Sequence, residues 1–227
     1  MYKKKPGTFK FTVFLFLFLL AVVMRVFVGE PCTVPSPSME PAILTGDWLW
    51  INKITYGCRL PARWADIPLI NIFTWIKPLR EADRKNNWRY RRAPGFRQPL
   101  ENDIVVFNSP ENGEILLVKR ISLIIRKGTS FTVCRENQET VENIIKNDSD
   151  ETERFRTLIH FSRENDTVEY TLQQNFYYML GDNAPDSRDS RVWGYVSEKA
   201  ITGKINRVLF STGDSQIRWK RFFLNTD

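Results

Sequence analysis

The chain has 227 residues, of which 42% are hydrophobic and 26% are charged, and it carries a net charge of +7. This length allows one good core or one domain with an elaborated cap, and the ordinary composition excludes disorder over the whole chain. The positive charge suits nucleic acid or an anionic membrane surface, so the position of the basic residues has to distinguish the two.

The three cysteines, Cys32, Cys58 and Cys134, are widely spaced and form no CxxC pair. A zinc site is therefore not expected, and we predict neither a metal nor a cofactor. The spacing is compatible with free, partly buried thiols and with one disulfide, and it does not decide between them.

The N-terminal segment combines a basic cluster with a membrane-length apolar run. Lysines at residues 3–5 precede the apolar run of residues 11–24, which is flanked by Lys10 and Arg25. Both flanking side chains can reach the interface, so residues 8–28 can cross roughly 30 Å of hydrocarbon at about 1.5 Å per residue. The basic cluster should stay in the cytoplasm. We predict a cytoplasmic segment (1–7), a transmembrane helix (8–28) and an exported domain (29–227).

A cleaved signal peptide is the main alternative to this anchor, because its basic and apolar regions have the same pattern. The residues that leave the apolar run, 25–30, lack the small-x-small pattern of a cleavage site. A buried core helix would be apolar on one face, whereas this segment is apolar all round. These observations favour an uncleaved anchor.

A serine bracketed by prolines follows about ten residues beyond the anchor. The prolines within residues 35–41 restrict the backbone around Ser38 and remove amide donors, which gives a stiff loop that can hold one hydroxyl in place. A Pro-Ser linker is the alternative. The residues that follow argue against a linker, because 46–47 predicts a turn and 48–51 predicts a buried strand.

The middle of the chain predicts a β-hairpin from residues 103–107 and 114–125, which have strand patterns on either side of turn residues. Under the alternation of a strand, Lys119 shares a face with Leu117 and Ile121. Burial among apolar side chains disfavours the charged amine, which would let this lysine act as a general base for a serine. A surface lysine on an edge strand is the alternative.

An apolar strand at residues 176–180 runs into a dense stretch of Asp, Asn and Ser at 181–191. Such a stretch could be an Asx-rich turn or a calcium loop, but EF-hand spacing is missing, and we predict no metal there. The single histidine, His160, would have to lie near Ser38 to support a Ser-His mechanism. The alternative for His160 is an ordinary strand residue.

Three of these stretches together resemble the catalytic boxes of bacterial type I signal peptidases, a family of Ser-Lys dyad proteases (S26). The first covers residues 36–47 and has Pro37 where the family usually has glycine. The second joins a Val-Val-Phe strand to the Lys-Arg pair at 119–120, and the third covers 181–196. The three stretches occur in the family's order and span most of the predicted exported domain.

The resemblance implies a mainly β fold: an antiparallel β-sheet catalytic domain with a small β cap, at residues 128–175, preceded by one transmembrane helix. It implies a membrane-anchored serine endopeptidase that removes signal peptides from exported preproteins. The enzyme would lie in the bacterial inner membrane with its catalytic domain on the extracytoplasmic side.

The resemblance also implies roles for individual residues. Ser38 would be the nucleophile, Lys119 the general base, and the Ser36 hydroxyl an oxyanion donor beside the Ser38 backbone N–H. The supporting residues would be Ser187, as hydrogen-bond partner of the lysine amine, and the ion pair of Asp189 with Arg191.

Residues 57–100 form an insertion rich in Pro, Trp and Arg. Basic residues outnumber acidic ones within 77–97, and the apolar stretch 66–79 is too short and interrupted to span a membrane. We interpret the insertion as an exported loop that lies against anionic headgroups, with a solvated surface insertion as the alternative. The expected partners are preproteins and the bilayer; we expect a monomer and no nucleic acid.

Two other functions stay open. A Ser-Lys self-processing protease of the repressor type shares the dyad, but it should lack the anchor and carry a DNA-binding domain. A non-enzymatic, membrane-anchored β module would tolerate changes at Ser38, Lys119 and Ser187.

Overall fold

The computed structural model describes residues 6–61, 63–67, 72, 75–85, 90–113, 115–161, 167–213 and 216–226. Its α-helices are α1 (Pro6–Val23), α2 (Lys77–Lys85), α3 (Gln138–Ile145), α4 (Ser149–Phe161) and α5 (Ser190–Trp193). Its strands are β1 (Gly29–Thr33), β2 (Asp47–Asn52), β3 (Ile104–Asn108), β4 (Leu116–Ile125), β5 (Ser130–Val133), β6 (Val168–Thr171), β7 (Phe176–Leu180), β8 (Val196–Ser197), β9 (Ile201–Gly213) and β10 (Gln216–Ile217).

Helix α1 continues into a π-helical turn at Met24–Val28, which leads directly into β1. Within the described residues, Lys10–Val28 is the one helical stretch that is long and apolar enough to cross a membrane, and 6% of it is buried. An apolar surface of this size that the rest of the chain leaves uncovered suits a hydrocarbon environment. The position and length agree with the predicted anchor; the lysine cluster at 3–5 lies outside the described residues.

One antiparallel sheet forms the body of the molecule, which confirms the mainly β prediction. Its spatial order is β1-β2-β9-β3-β4-β7-β8, and β10 pairs with β9. Strand β9 is the last long strand of the chain, but it lies between β2 and β3. The predicted hairpin is present as β3 and β4, paired from Asn108 with Leu116 to Ile104 with Arg120. Glu114, at the predicted start of its second strand, lies outside the described residues.

Strand β3 shows why this sheet is stable. Its four apolar residues alternate between two faces, and all four have no exposed surface. Each fully buried side chain of this size contributes about 1.5–3 kcal/mol. One face packs with Val34, Met39, Ile43, Leu49, Ile51, Ile104, Val106, Ile205 and Val208. The other face packs with Tyr56, Val105, Phe107, Ile121, Tyr177, Met179, Trp193, Val196 and Ile201.

The predicted cap contains two helices as well as the expected strands. Strands β5 and β6 pair antiparallel, and α3 and α4 pack on them around a core that includes Ile145, Phe155 and Tyr170. In α3 the apolar Val141 and Ile145 lie four residues apart, which places both on one face of a helix. His160 lies exposed in the last turn of α4. The prediction of an ordinary strand residue is therefore wrong for His160.

The insertion at 57–100 is fastened to the sheet by two arginines. The Arg92 guanidinium donates to the Gly57 carbonyl at 2.9 Å and to the Glu198 carbonyl at 3.2 Å. Arg59 donates to Asn108 on β3. These two arginines bond to protein, so they are not the ones available to headgroups. Residues 62, 68–71, 73–74 and 86–89 of the insertion lie outside the described part of the chain.

Candidate active site

The predicted nucleophile lies in the loop between β1 and β2. The base of this loop is closed by two backbone hydrogen bonds, Val34 N–H to the Asp47 carbonyl at 3.0 Å and Gly46 N–H to the Val34 carbonyl at 2.9 Å. Met39 and Ile43 are buried in the sheet core. Because Ser38 directly precedes the buried Met39, its position is fixed by packing, and the serine is 7% exposed.

Lys119 meets this serine from strand β4. Its Nζ donates to the Ser38 Oγ at 2.6 Å, although the two residues are 81 positions apart. Lys119 is 3% exposed, and its strand neighbour Ile121 has no exposed surface. The predicted burial of the lysine on an apolar face is therefore confirmed. In the neutral form the same amine is placed to accept the serine proton.

Burial lowers the pKa of Lys119 from 10.5 to about 8, and the negative charges of Asp189 and Asp182 oppose this change. At pH 7 roughly one molecule in ten then carries a neutral amine, which is enough for a general base near its working pH. An exposed lysine would be neutral about three hundred times less often.

The predicted oxyanion donor Ser36 also lies beside the nucleophile. Its Oγ is 3.3 Å from the Ser38 Oγ, and either hydroxyl can be the donor. Ser36 is exposed, whereas Ser38 is buried. The nucleophile therefore has a more solvent-exposed hydroxyl beside it.

The last predicted group centres on the buried carboxylate of Asp189. It accepts hydrogen bonds from Arg191 Nε and Nη2, from Ser187 Oγ (each 2.8 Å) and from Gly181 N–H at 3.0 Å. Burial by itself would raise the pKa of Asp189, but these bonds hold it well below its usual range. The ion pair of Asp189 with Arg191 is thus present. Ser187 donates to Asp189, which differs from the expected bond to Lys119.

Gly181 is the point where the serine loop and this last group touch. A Cβ on Gly181 would lie 2.1 Å from Ser187 Oγ and 2.5 Å from the Ser38 carbonyl oxygen. No side chain fits between these atoms, so only glycine allows β7 to bring the two segments together.

Three residues contact the dyad segments without having been given a role from the sequence. Asn183 donates to the carbonyls of Pro37 and Ser38, and Arg120 forms a bidentate ion pair with Asp182. These contacts join segments far apart in the chain, and no local pattern reveals them. His160 belongs to the cap, in the last turn of α4, whereas Ser38 lies in the loop between β1 and β2.

The three cysteines are free thiols, and all three lie in described residues. Burial raises the pKa of Cys32 to about 12, so this thiol stays protonated. Among the residues that the structure describes, no group of three or more His, Cys, Asp or Glu side chains could hold a metal ion.

Comparison with known proteins identifies relatives of this chain. The family model described as signal peptidase, peptidase S26, matches residues 8–210. The chain is 28% identical to signal peptidase I of Pseudomonas aeruginosa (strain PAO1), covering 87% of this chain and 70% of the relative.

Two further relatives are similar over comparable lengths. Signal peptidase I of Aquifex aeolicus (strain VF5) is 26% identical over 87% of this chain and 82% of its own. Signal peptidase I of Buchnera aphidicola subsp. Schizaphis graminum is 22% identical, and the match covers 89% of this chain and 74% of that relative. Because the family model extends from the anchor helix into β9 and so includes every element of the site, the chain belongs to the signal peptidase family, peptidase S26.

Proposed function

We propose that Ser38 and Lys119 form the catalytic dyad with which this protein cleaves signal peptides from exported preproteins. As a family member, the protein is a membrane-anchored serine peptidase that removes signal peptides. The observation that carries the residue assignment is the 2.6 Å contact of Lys119 Nζ with Ser38 Oγ in a buried site. A serine needs such an adjacent base to become a competent nucleophile.

The reaction follows from this geometry. Neutral Lys119 accepts the proton of Ser38 as the serine oxygen attacks the scissile carbonyl, which forms a tetrahedral intermediate with a negatively charged oxygen. The Ser38 N–H and the Ser36 hydroxyl stabilise that charge. Lys119 then returns the proton to the leaving amine as the C–N bond breaks. Water, deprotonated by the same lysine, attacks the acyl-enzyme and releases the signal peptide with a free carboxylate, while the serine regains its proton.

Asp189 and Arg191 support the base rather than react. Burial lowers the pKa of Lys119, and the nearby Asp189 charge keeps that pKa from falling further. The bidentate arginine in turn neutralises a carboxylate that has no exposed surface. Ser187 donates to the same carboxylate, and its oxygen retains lone pairs that can accept a bond from the amine.

We place the catalytic domain on the extracytoplasmic side of the bacterial inner membrane. The basic residues that precede the helix favour a cytoplasmic N-terminus. The substrate would lie along the sheet edge as an added strand, with small residues such as Ala-x-Ala before the cleaved bond.

The test is cleavage of a preprotein with an Ala-x-Ala site by the purified full chain in detergent. We expect Ser38→Ala and Lys119→Ala each to lower turnover by about 10³-fold or more. Lys199→Ala is the matched control, since Lys199 pairs with Asp148 and Asp150 far along the chain from the dyad. Near-normal turnover by either dyad variant would refute the mechanism. If the wild type neither cleaves nor reacts with a serine-directed acylating inhibitor, the non-enzymatic module is supported instead.

The insertion is the proposed site of contact with anionic lipid. Trp75 is 78% exposed and Ile76 53%, and they precede α2, which carries basic residues along most of its length. An aromatic and basic surface of this kind suits the headgroup region. In vesicles with brominated anionic lipids, Trp75→Phe should remove part of the lipid quenching of tryptophan fluorescence. Equal quenching of both proteins would leave the insertion as a solvated surface segment.

A further inference from the structure

Asn183 holds the nucleophile loop at two points, one on each side of the Ser38 Cα. Its backbone N–H donates to the Ser38 carbonyl at 3.1 Å, and its side-chain Nδ2 donates to the Pro37 carbonyl at 3.2 Å. The Pro37 carbonyl also accepts a turn bond from the Glu40 N–H at 3.0 Å. Asn183 and Pro37 are 146 positions apart, so the contact depends on the tertiary fold.

The Pro37 carbonyl and the Ser38 N–H belong to one planar, trans peptide unit. In such a unit the C=O and N–H bonds point in opposite directions, so a donor that holds the carbonyl also fixes the direction of the N–H. Within the described residues, the Ser38 N–H makes no hydrogen bond. It is therefore available to an oxygen of a bound substrate.

The proline ring alone does not fix the tilt of this peptide unit. The ring of Pro37 restricts φ of that residue, but the tilt depends on ψ of Pro37 and φ of Ser38, which the ring leaves free. Two donors on the Pro37 carbonyl supply the missing restraint: the Glu40 N–H from within the loop and the Asn183 amide from outside it. Only the Asn183 amide ties the peptide unit to the segment that also carries Asp189.

We propose that Asn183 is a positioning residue that aims the Ser38 N–H at the oxyanion of the tetrahedral intermediate. It touches neither the substrate nor the reacting atoms and acts through the Pro37–Ser38 peptide unit. This inference rests on the proposed function, in which the Ser38 N–H is an oxyanion donor.

The expected signature is a loss in kcat. A tilted N–H weakens binding of the transition state and leaves ground-state binding unchanged. Complete removal of an oxyanion donor costs about 10²–10³ in kcat, so a misaligned donor should cost less, about 10- to 100-fold. KM should stay within about twofold. The pH profile should keep its position, because the Lys119–Ser38 bond is not touched.

The experiment compares wild type with Asn183→Ala, using the full chain in detergent and a preprotein substrate. The alanine variant keeps the backbone bond to Ser38 and loses the side-chain bond to Pro37. A peptide aldehyde with the cleavage-site sequence serves as the second probe, because its adduct with the serine places an oxygen at the oxyanion position. Its inhibition constant should weaken by the same factor as kcat/KM falls.

Asn147→Ala is the matched control. The Asn147 amide donates to two backbone carbonyls, those of Trp193 and Tyr195, at 2.8 and 2.7 Å. The Asn183 amide likewise makes two bonds, one to the Pro37 carbonyl and one to Asp186 Oδ2, each at 3.2 Å. Loss of the Asn147 amide removes similar bonds away from the serine loop, so kcat should stay within about twofold even if the melting temperature falls. Circular dichroism of both variants checks that each is folded.

Four results would overturn the inference. They are an Asn183→Ala kcat within about twofold of wild type, a change in KM alone, a displaced pH profile, or an equal kcat loss in Asn147→Ala. Failure of the proposed function is a separate outcome. It would appear as undiminished turnover in Ser38→Ala or Lys119→Ala, whatever Asn183→Ala does.

Discussion

Arg120 meets the carboxylate of Asp182 through two parallel hydrogen bonds, Nε to Oδ1 and Nη2 to Oδ2, each 2.8 Å long. Arg120 follows Lys119 on β4, and Asp182 follows Gly181 after β7. The pair therefore ties the strand of the base to the loop that carries Asn183. Burial lowers the pKa of Lys119, and the Asp182 charge is one of the two that oppose this effect.

The first prediction concerns the pH dependence of cleavage. The base must be neutral, so kcat/KM should rise with pH and level off above about 8. Asp182→Asn removes a negative charge that raises the pKa of Lys119, and the asparagine no longer offsets the positive charge of Arg120. Both changes lower the pKa of Lys119, so the rising limb of the plot of kcat/KM against pH should move to lower pH. Glu111→Gln, which breaks an exposed ion pair with Arg188, should leave the limb in place; a shift toward higher pH in Asp182→Asn would contradict the assignment of the base.

The second prediction tests the close approach at Gly181. A methyl group there would overlap Ser187 Oγ and the Ser38 carbonyl. Gly181→Ala should therefore displace the serine loop, lower kcat by about 10²-fold or more and destabilise the fold by about 1–3 kcal/mol. Gly113→Ala is the control, because a Cβ at Gly113 meets nothing within 4 Å. Wild-type kinetics in Gly181→Ala would show that the loop adapts to the added methyl group.

The third prediction is that the base lowers the stability of the protein. The pKa of Lys119 is about 8 in the folded state and near 10.5 in the unfolded chain. The unfolded state thus binds more protons between these values, and the cost of burying the ammonium is fully present below about 8. Lys119→Met should be inactive but more stable at pH 7, by roughly 1–3 kcal/mol after allowance for partial screening.

Denaturant unfolding at several pH values measures this difference between Lys119→Met and wild type. The extra stability of Lys119→Met over wild type should decrease as pH rises from about 8 to 10.5. Lys199→Met is the contrasting control, because the Lys199 ammonium pairs with Asp148 and Asp150. That control should lose stability at pH 7. A Lys119→Met variant less stable than wild type at pH 7 would show that burial does not penalise the ammonium.

The fourth prediction concerns the attachment of the insertion. The Arg92 guanidinium bonds to backbone carbonyls on both sides of the junction between insertion and sheet. Arg92→Ala should cost about 2–4 kcal/mol and expose residues 57–100 to limited proteolysis. The neighbouring Arg91 is exposed, so Arg91→Ala should behave like wild type. Equal protease resistance of the two variants would mean that other contacts hold the insertion.

Much of the site could be predicted because its chemistry is local in sequence. The alternation of β4 is enough to place Lys119 on an apolar face, and the prolines around Ser38 indicate a rigid loop. The contacts between these segments could not be predicted from either pattern. Asn183 reaches Pro37 across 146 positions, and Ser187 has both Lys119 and Asp189 as plausible partners until the backbone is known.

The cap shows a different limit. The strands at residues 130–133 and 168–171 could be predicted because alternation of side chains is visible within a run of a few residues. Helices α3 and α4 lie in a highly charged stretch, where the apolar period of Val141 and Ile145 is the main sign of a buried face. The many charged residues make this apolar spacing hard to recognise, because a solvated loop has the same composition. Packing on β5 and β6 then determines that these residues form helices.

The place of β9 determines when the enzyme can become active. The β1–β2 hairpin with its serine loop and the β3–β4 hairpin with its lysine are both made early in the chain, but β9 separates them in the sheet. Neither hairpin can reach its final partner until residues 201–213 have been synthesised and inserted. Long-range pairings of this kind form slowly and late. In a growing chain Ser38 and Lys119 therefore stay apart, so a nascent or C-terminally truncated protein should have no protease activity.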